Sequence, residues 1–363
     1  VRPFDFPPVE SSLLPNGLGL KIARMSQIPL VTLVVTMDAG ESILPDSLSG
    51  LAVLAGEGLD GGTDSLSGPE QAEAFEGIGA GLSVRTGWDS TTASVTCLAE
   101  RLPKAMELLS GALLRPAFPT EEVDRLRSQR LAAIQQRRND PGSLADDASV
   151  HFIYSHSSPY HRPLAGTQAS VEMKGREDIL AFVQANYTPS GSAMVVVGDV
   201  QKSEIEAMAR DHFGGWEGGP RPAMTLVAKP RSSGGRVVIV DRPGAVQSEI
   251  RIGQVGVGRS TPDFFPLKIF NTVLGGAFTS RLMLNLREER GYTYGVRSRF
   301  SHRRGAGPFK ISMAVATEVT APAVEAALGE LKGLLESGPD ESEVDRARDY
   351  IAGTFPLHLE TTG

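Results

Sequence analysis

Glu122-Val123-Asp124-Arg125 returns as Glu343-Val344-Asp345-Arg346, a shift of 343 − 122 = 221 residues, and this repeat governs how the chain is built. The same shift lays the helical pattern of 104–114 on 325–335. It also lays Leu30-Val31-Thr32-Leu33-Val34-Val35 on Arg251-Ile252-Gly253-Gln254-Val255-Gly256. A single tetrapeptide carries little weight, but one long period kept by a strand, a helix and a charged helix marks a duplicated domain. The length of 363 residues agrees, because single hydrophobic cores stop growing at roughly 250–300 residues.

Each copy reads as strand, strand, helix, strands, helix, then a long charged helix. In the first copy 18–22 and 30–37 alternate as strands, and Asp46 or Ser49 is placed to cap a helix starting at Gly50. Residues 80–98 give two more strands through a Trp88-Asp89-Ser90 turn, and 101–114 is helical. Thr120-Glu121-Glu122 opens a long helix with apolar Val123, Leu126, Leu131 and Ile134 at helical spacing. A buried strand at 193–200 and a helix at 202–213 follow, and the Gly- and Pro-rich run 214–235 has the composition of a connector. The fold class is α+β: two homologous α/β-sandwich domains, each a mixed, mainly antiparallel sheet packed with helices. The expected boundaries are 1–214, a connector at 215–235, and 236–363. Gly363 falls on Gly142 of the first copy, so the second domain is expected to lack its last strand and helices as given, leaving an unpaired sheet edge.

A net charge of -7 and a pI near 5.5 speak against a nucleic-acid partner, which would require a basic footprint. No apolar run approaches the ~18–20 residues needed to span a bilayer. The start at Val1, followed by Arg2-Pro3-Phe4-Asp5-Phe6-Pro7-Pro8, fits an extended mature terminus after a removed signal, and equally a trimmed chain. The single Cys97 excludes an internal disulfide and a Cys-based metal cluster, and its place in an alternating run predicts a buried strand thiol.

The chemistry concentrates in Thr279-Ser280-Arg281-Leu282-Met283-Leu284-Asn285-Leu286-Arg287-Glu288-Glu289-Arg290-Gly291-Tyr292-Thr293-Tyr294-Gly295. Leu282, Met283 and Leu286 are spaced for a helix and Gly291 supplies its stop, which places Arg287 in the last turn. Residues 292–296 alternate as a strand would. Amide hydrolysis develops negative charge on the former carbonyl oxygen, and an Arg and a Tyr are apt donors to it. The bland alternative pairs Arg287 with Glu288 or Glu289 and makes Tyr294 an ordinary strand aromatic.

This wording, preceded by Leu274-Gly275-Gly276, resembles the second domain of the pitrilysin/insulinase class of zinc peptidases, in the branch of the mitochondrial processing peptidase and its bacterial two-subunit relatives. Leu14-Pro15-Asn16-Gly17-Leu18, Asp38-Ala39-Gly40, Val197-Gly198-Asp199 and Pro243-Gly244-Ala245-Val246-Gln247-Ser248 spread the resemblance along the chain. It implies that Arg287 and Tyr294, seven residues apart, bind substrate and polarise its scissile carbonyl. Gln247 either lines the cleft or serves as a structural amide. The loop 154–160 with Gly166 matches a region whose role in that class is structural.

In the same class zinc is held by His-x-x-Glu-His on one helix, with a further glutamate downstream. The framework survives here as Gly50-Leu51-Ala52 and Gly62-Thr63, but the five motif positions are Val53, Leu54, Ala55, Gly56 and Glu57. Glu57 falls where the second histidine would be and reads as a solvated or capping carboxylate. The downstream ligand position, within Arg130-Leu131-Ala132-Ala133-Ile134, holds alanine-class residues. No two of the six histidines stand three or four apart, and Asp147 with His151 on one helix face gives two ligands without a third.

The resemblance therefore implies no metal and no cofactor in this chain. The zinc would reside in a homologous partner subunit, the pair forming a heterodimeric metalloendopeptidase acting on peptides or unfolded polypeptides. The chain alone would be inactive, and it could pair with a second copy of itself. The alternatives are a structural or peptide-binding core-protein-like subunit, and a peptide-binding protein with no enzymatic partner. The processed start and the bacterial wording point to the periplasm.

Overall fold

The computed structural model describes residues 6–219 and 226–359. The beginning of the extended N-terminal run, the middle of the connector and the last four residues lie outside the described residues.

The first copy supplies β1 Val9–Leu13, β2 Gly19–Arg24, β3 Leu30–Met37, α1 Leu51–Glu57, α2 Gly68–Glu76, β4 Ser83–Thr86, β5 Thr91–Leu98, α3 Leu102–Leu114, α4 Thr120–Asn139, α5 Pro141–Ile153, α6 Gln168–Glu172, α7 Arg176–Asn186, β6 Ser192–Gly198 and α8 Lys202–Phe213. Its six strands run β1-β2-β6-β3-β5-β4, with only β2 and β6 parallel. β3 and β6 lie at the centre, each with one face buried and the other at least partly covered, which fits their mostly apolar sequences. Leu33, Val35, Met194 and Val196 are fully buried and pack with Met106 and Leu109 of α3 and with Ile205 and Phe213 of α8.

The second copy supplies β7 Gln247–Val255, α9 Phe264–Asn271, β8 Val296–Phe300, β9 Pro308–Ala316, α10 Thr320–Ser337 and α11 Glu341–Thr354. Its sheet is β7-β9-β8, antiparallel throughout, and this repeats the β3-β5-β4 order of the first sheet. Ile311, Met313 and Val315 of β9 alternate inward against Leu274, Leu282, Leu286 and Ala327. Both copies are thus mixed α/β units of one design.

The described residues cluster into two compact units. One combines Gln135–Pro163 with Leu226–His358, and the other takes the rest. The division falls within α4, so α5, although part of the first half in sequence, packs on β7. Asp146 of α5 accepts from Arg251 Nε at 3.0 Å and Lys310 Nζ at 2.5 Å. Burial pushes that carboxyl up, and the two cations more than offset it, holding it below the usual carboxylate range.

Three local expectations change. Neither Asp46 nor Ser49 caps α1: Gly50 does, at φ +86°, while Ser49 Oγ donates to Ser170 Oγ at 2.8 Å. A side chain at Gly50 would meet the Ala165 carbonyl at 2.8 Å, so both conformation and space demand glycine there. The strand expected from Tyr292 begins only at Val296, because Thr293 folds the chain into a turn: its hydroxyl lies 2.7 Å from the Ala314 carbonyl and accepts from Gly295 N. Finally, the second copy shows one strand, not two, before its first helix. In the first copy β2 draws its ladder from β1 and β6. Among the described residues the second copy has no counterpart of either, and Val237 and Ile239 stand 89% and 85% exposed.

Candidate functional site

Leu282, Met283 and Leu286 bury one face of the segment after Ser280, as their spacing predicts. The segment is wound more loosely than an α-helix: over Met283–Glu289 it is a π-turn, and Arg290 N donates to the Asn285 carbonyl five residues back. Such widened turns gather at functional positions. Gly291, at φ +64°, ends it, with Tyr292 N donating to the Leu286 carbonyl at 2.9 Å. Only glycine adopts that conformation without strain.

Arg287 sits in this last turn. Its guanidinium lies over the Phe278 ring, 4.7 Å from the centroid, and Nε is 3.4 Å from a Glu288 carboxylate oxygen. The described residues supply no hydrogen-bond acceptor to its two terminal nitrogens. Tyr294 stands at the tip of the Thr293 turn with 94% of its surface exposed. Gln247 opens β7, paired with Ala316 and exposed.

The base of the site is tied elsewhere. Arg281 donates to both carboxylate oxygens of Glu343 on α11, at 2.7 and 2.6 Å, and Glu343 also accepts from Asp340 N in a capping box. The hydrogen bonds from Arg281 hold the Glu343 carboxyl below its ordinary value. Upstream, Gly275 brings the chain against β8 so closely that a Cβ would stand 2.6 Å from Ser298 N.

In the first copy, the helix that would carry zinc ligands is α1. Val53, Leu54, Ala55 and Gly56 are all buried, Leu54 and Ala55 within the hydrophobic core. At the base position the room is already taken: a Cβ on Gly56 would overlap Thr86 Oγ1. Glu57, expected as a solvated or capping carboxylate, is 37% exposed and makes no side-chain capping hydrogen bond. It forms an ion pair with Arg130 of α4, the helix of the missing downstream ligand. Nothing in the sequence pairs Arg130 with Glu57, because the two stand 73 residues apart (130 − 57). Its Nε is buried without an acceptor among the described residues, and burial lowers the guanidinium pKa. A cavity of about 370 Å³ adjoins, lined by Glu57, Asp60, Gln129, Arg130 and Ala133 among others. Burial and the neighbouring Glu122 push the Asp60 carboxyl up. A guanidinium, not a ligand set, thus stands between α1 and α4. The residues present do not fit a zinc ion, and among the described residues no group of three or more His, Cys, Asp or Glu is arranged to hold a metal.

One further cluster escaped the spacing argument. His151, His156 and His161, five residues apart, bring their rings within 5.2–6.1 Å of one another, and His161 Nδ1 lies 2.7 Å from the Ser158 carbonyl. Burial, Arg231 and the other two histidines lower the His151 pKa. No helix among the described residues is long and apolar enough to cross a membrane.

Two units of one α/β design follow each other in this chain, and the comparisons with known proteins assign them to one family. Residues 22–168 match the family model described as Insulinase (Peptidase family M16), and residues 175–351 match the Peptidase M16 inactive domain. The chain belongs to peptidase family M16. An uncharacterized zinc protease of Mycobacterium tuberculosis is 26% identical over 349 residues, 96% of this chain and 79% of that protein. The mitochondrial-processing peptidase subunit beta of Lentinula edodes is 25% identical over 281 residues, 74% of this chain and 58% of that one. A solved peptidase M16 inactive domain from Pseudomonas fluorescens superposes with a TM-score of 0.89 at 27% identity, covering 96% of this chain and 84% of that one.

Proposed function

We propose that this chain is the zinc-lacking subunit of a heterodimeric metallopeptidase, binding peptide and polarising its scissile carbonyl through Arg287 and Tyr294 opposite a partner that carries the metal. The observation that carries the reading is the contrast between two sites. The metal position is filled by Glu57 and Arg130, whereas the Arg–Tyr turn is held by Gly291, Thr293 and the Arg281–Glu343 pair and keeps Tyr294 in solvent. Donors fixed in advance stabilise a developing oxyanion more than mobile ones, because their reorganisation is complete before the reaction. Gln247, exposed at the start of β7, is a further substrate contact in this reading. The homologous partner, the peptide substrate and a periplasmic setting belong to the same proposal.

The test is reconstitution. The purified chain should leave an internally quenched peptide library intact, and the M16 protein bearing the His-x-x-Glu-His motif that co-purifies with it should restore turnover. Chelator-sensitive cleavage by this chain alone would end the proposal.

The second reading, a structural or peptide-binding subunit without a part in hydrolysis, takes its support from Arg287 itself, already engaged by Phe278 and Glu288. Full turnover by a complex carrying both Arg287→Ala and Tyr294→Phe would decide for it.

A further inference from the structure

We infer that Phe278 is a positioning residue for Arg287, holding the guanidinium plane so that its terminal N–H groups meet the substrate carbonyl. The inference rests on the reading of Arg287 as a carbonyl-polarising donor.

Phe278 is 64% exposed, so burial of apolar surface does not account for a phenyl ring at this position. What the ring does contact is the guanidinium, 4.7 Å from its centroid. A ring beneath the guanidinium takes up its flat face and leaves its in-plane donors directed outward. A Glu288 carboxylate oxygen lies 3.4 Å from Nε, a second contact on the same side chain, while the terminal nitrogens have no acceptor among the described residues.

The placing of Phe278 is built into the backbone. Gly275 lies against Ser298 N, and a Cβ on Gly276 would stand 2.9 Å from the Asn271 carbonyl, so the chain turns there with no room for side chains. The turn closes through Ser280 N on the Ala277 carbonyl at 3.2 Å, setting Phe278 just ahead of the segment that ends in Arg287. Side chains on a helical segment lean toward its N-terminus, so Arg287 reaches back onto a ring that precedes it. An arginine held in this way has already lost part of the rotamer freedom that a free side chain would give up on meeting substrate.

The experiment compares Phe278→Leu, which keeps apolar bulk and removes the aromatic face, with Phe278→Tyr, which keeps the face. In the complex with the zinc-bearing subunit, Phe278→Leu should lower kcat about two- to fivefold with KM unchanged, and Phe278→Tyr should restore it. A second measurement uses the chain alone: phenylglyoxal modification of Arg287, followed by peptide mapping, should quicken in Phe278→Leu and return to the original rate in Phe278→Tyr. Arg348, 61% exposed on α11, provides the internal reference and should not change. If Phe278→Leu leaves both kcat and the modification rate unaltered, or if Phe278→Tyr fails to restore either, the positioning role is overturned. If Arg287→Ala retains full turnover, the catalytic reading fails separately, and the modification rates alone decide whether the ring holds the guanidinium.

Discussion

The two copies of this chain meet the same evolutionary template with opposite outcomes. In the first copy, α1 and α4 are closed on each other by Glu57 and Arg130 and by apolar side chains where ligands would stand. In the second, the Arg287–Tyr294 turn is braced from below and open above. The repeated tetrapeptide shows how this arises. Glu122 pairs with Arg125 one turn along its own helix, an exposed local contact, whereas its counterpart Glu343 reaches across to Arg281 and holds the segment that carries Arg287. A duplicated sequence thus keeps its fold in both halves while the same glutamate stabilises a helix in one and a candidate site in the other.

The sharpest way to break this contrast is Arg287→Ala in the proposed complex with a zinc-bearing partner, for which kcat should fall about 100- to 1,000-fold, as for loss of an oxyanion donor. A quenched-peptide assay measures it, and a change in KM alone would assign Arg287 to uniform binding. Next comes Gly275→Ala. Its methyl would meet the Ser298 backbone rather than a movable side chain, so thermal unfolding should show a loss of about 1–3 kcal/mol.

Arg130→Ala should cost about 1–2 kcal/mol by leaving Glu57 half-buried without its cation, a figure kept low because Glu57 retains solvent. Replacing both by leucine should recover much of that loss in urea titrations, since a well-packed apolar pair often equals an ion pair. If the double variant is no better than the single one, the pair is not a self-contained plug.

The smallest effect concerns pH. Glu343 has a folded-state pKa below its ordinary 4.5, chiefly through the hydrogen bonds from Arg281. The stability it contributes is therefore complete above about pH 4.5 and is lost as pH falls through the lower folded value. Unfolding followed by aromatic fluorescence should show Glu343→Gln as less stable near neutrality, with the gap to the parent closing in acid. A gap that persists unchanged at pH 3 would mean that Glu343 acts by packing alone.

Much of the frame was readable in the sequence because it depends on local periodicity: α8 begins and ends where the pattern places it, and the stop at Gly291 follows from one residue type. The strand start at Val296 was not, because it depends on a Thr293 hydroxyl meeting the Ala314 carbonyl, 21 residues away in sequence. The isolated run at 237–240 has strong strand composition, yet composition does not supply a ladder partner. Arg130 and Phe278 escaped for a related reason. An arginine in a charged helix and a phenylalanine beside a glycine pair look ordinary until the partner that each meets is known.

Cys97 offers an experimental convenience. It is the one sulfhydryl in the chain, 2% exposed on β5, and burial raises its pKa, so little thiolate is available to alkylating reagents. A cysteine substituted on the surface, for instance at Gln247, would therefore be the sole point of attachment for a spin or fluorescent label, without first engineering the natural one away. Distances from that label to a second on the proposed metal-bearing subunit could then be followed in solution as peptide is added.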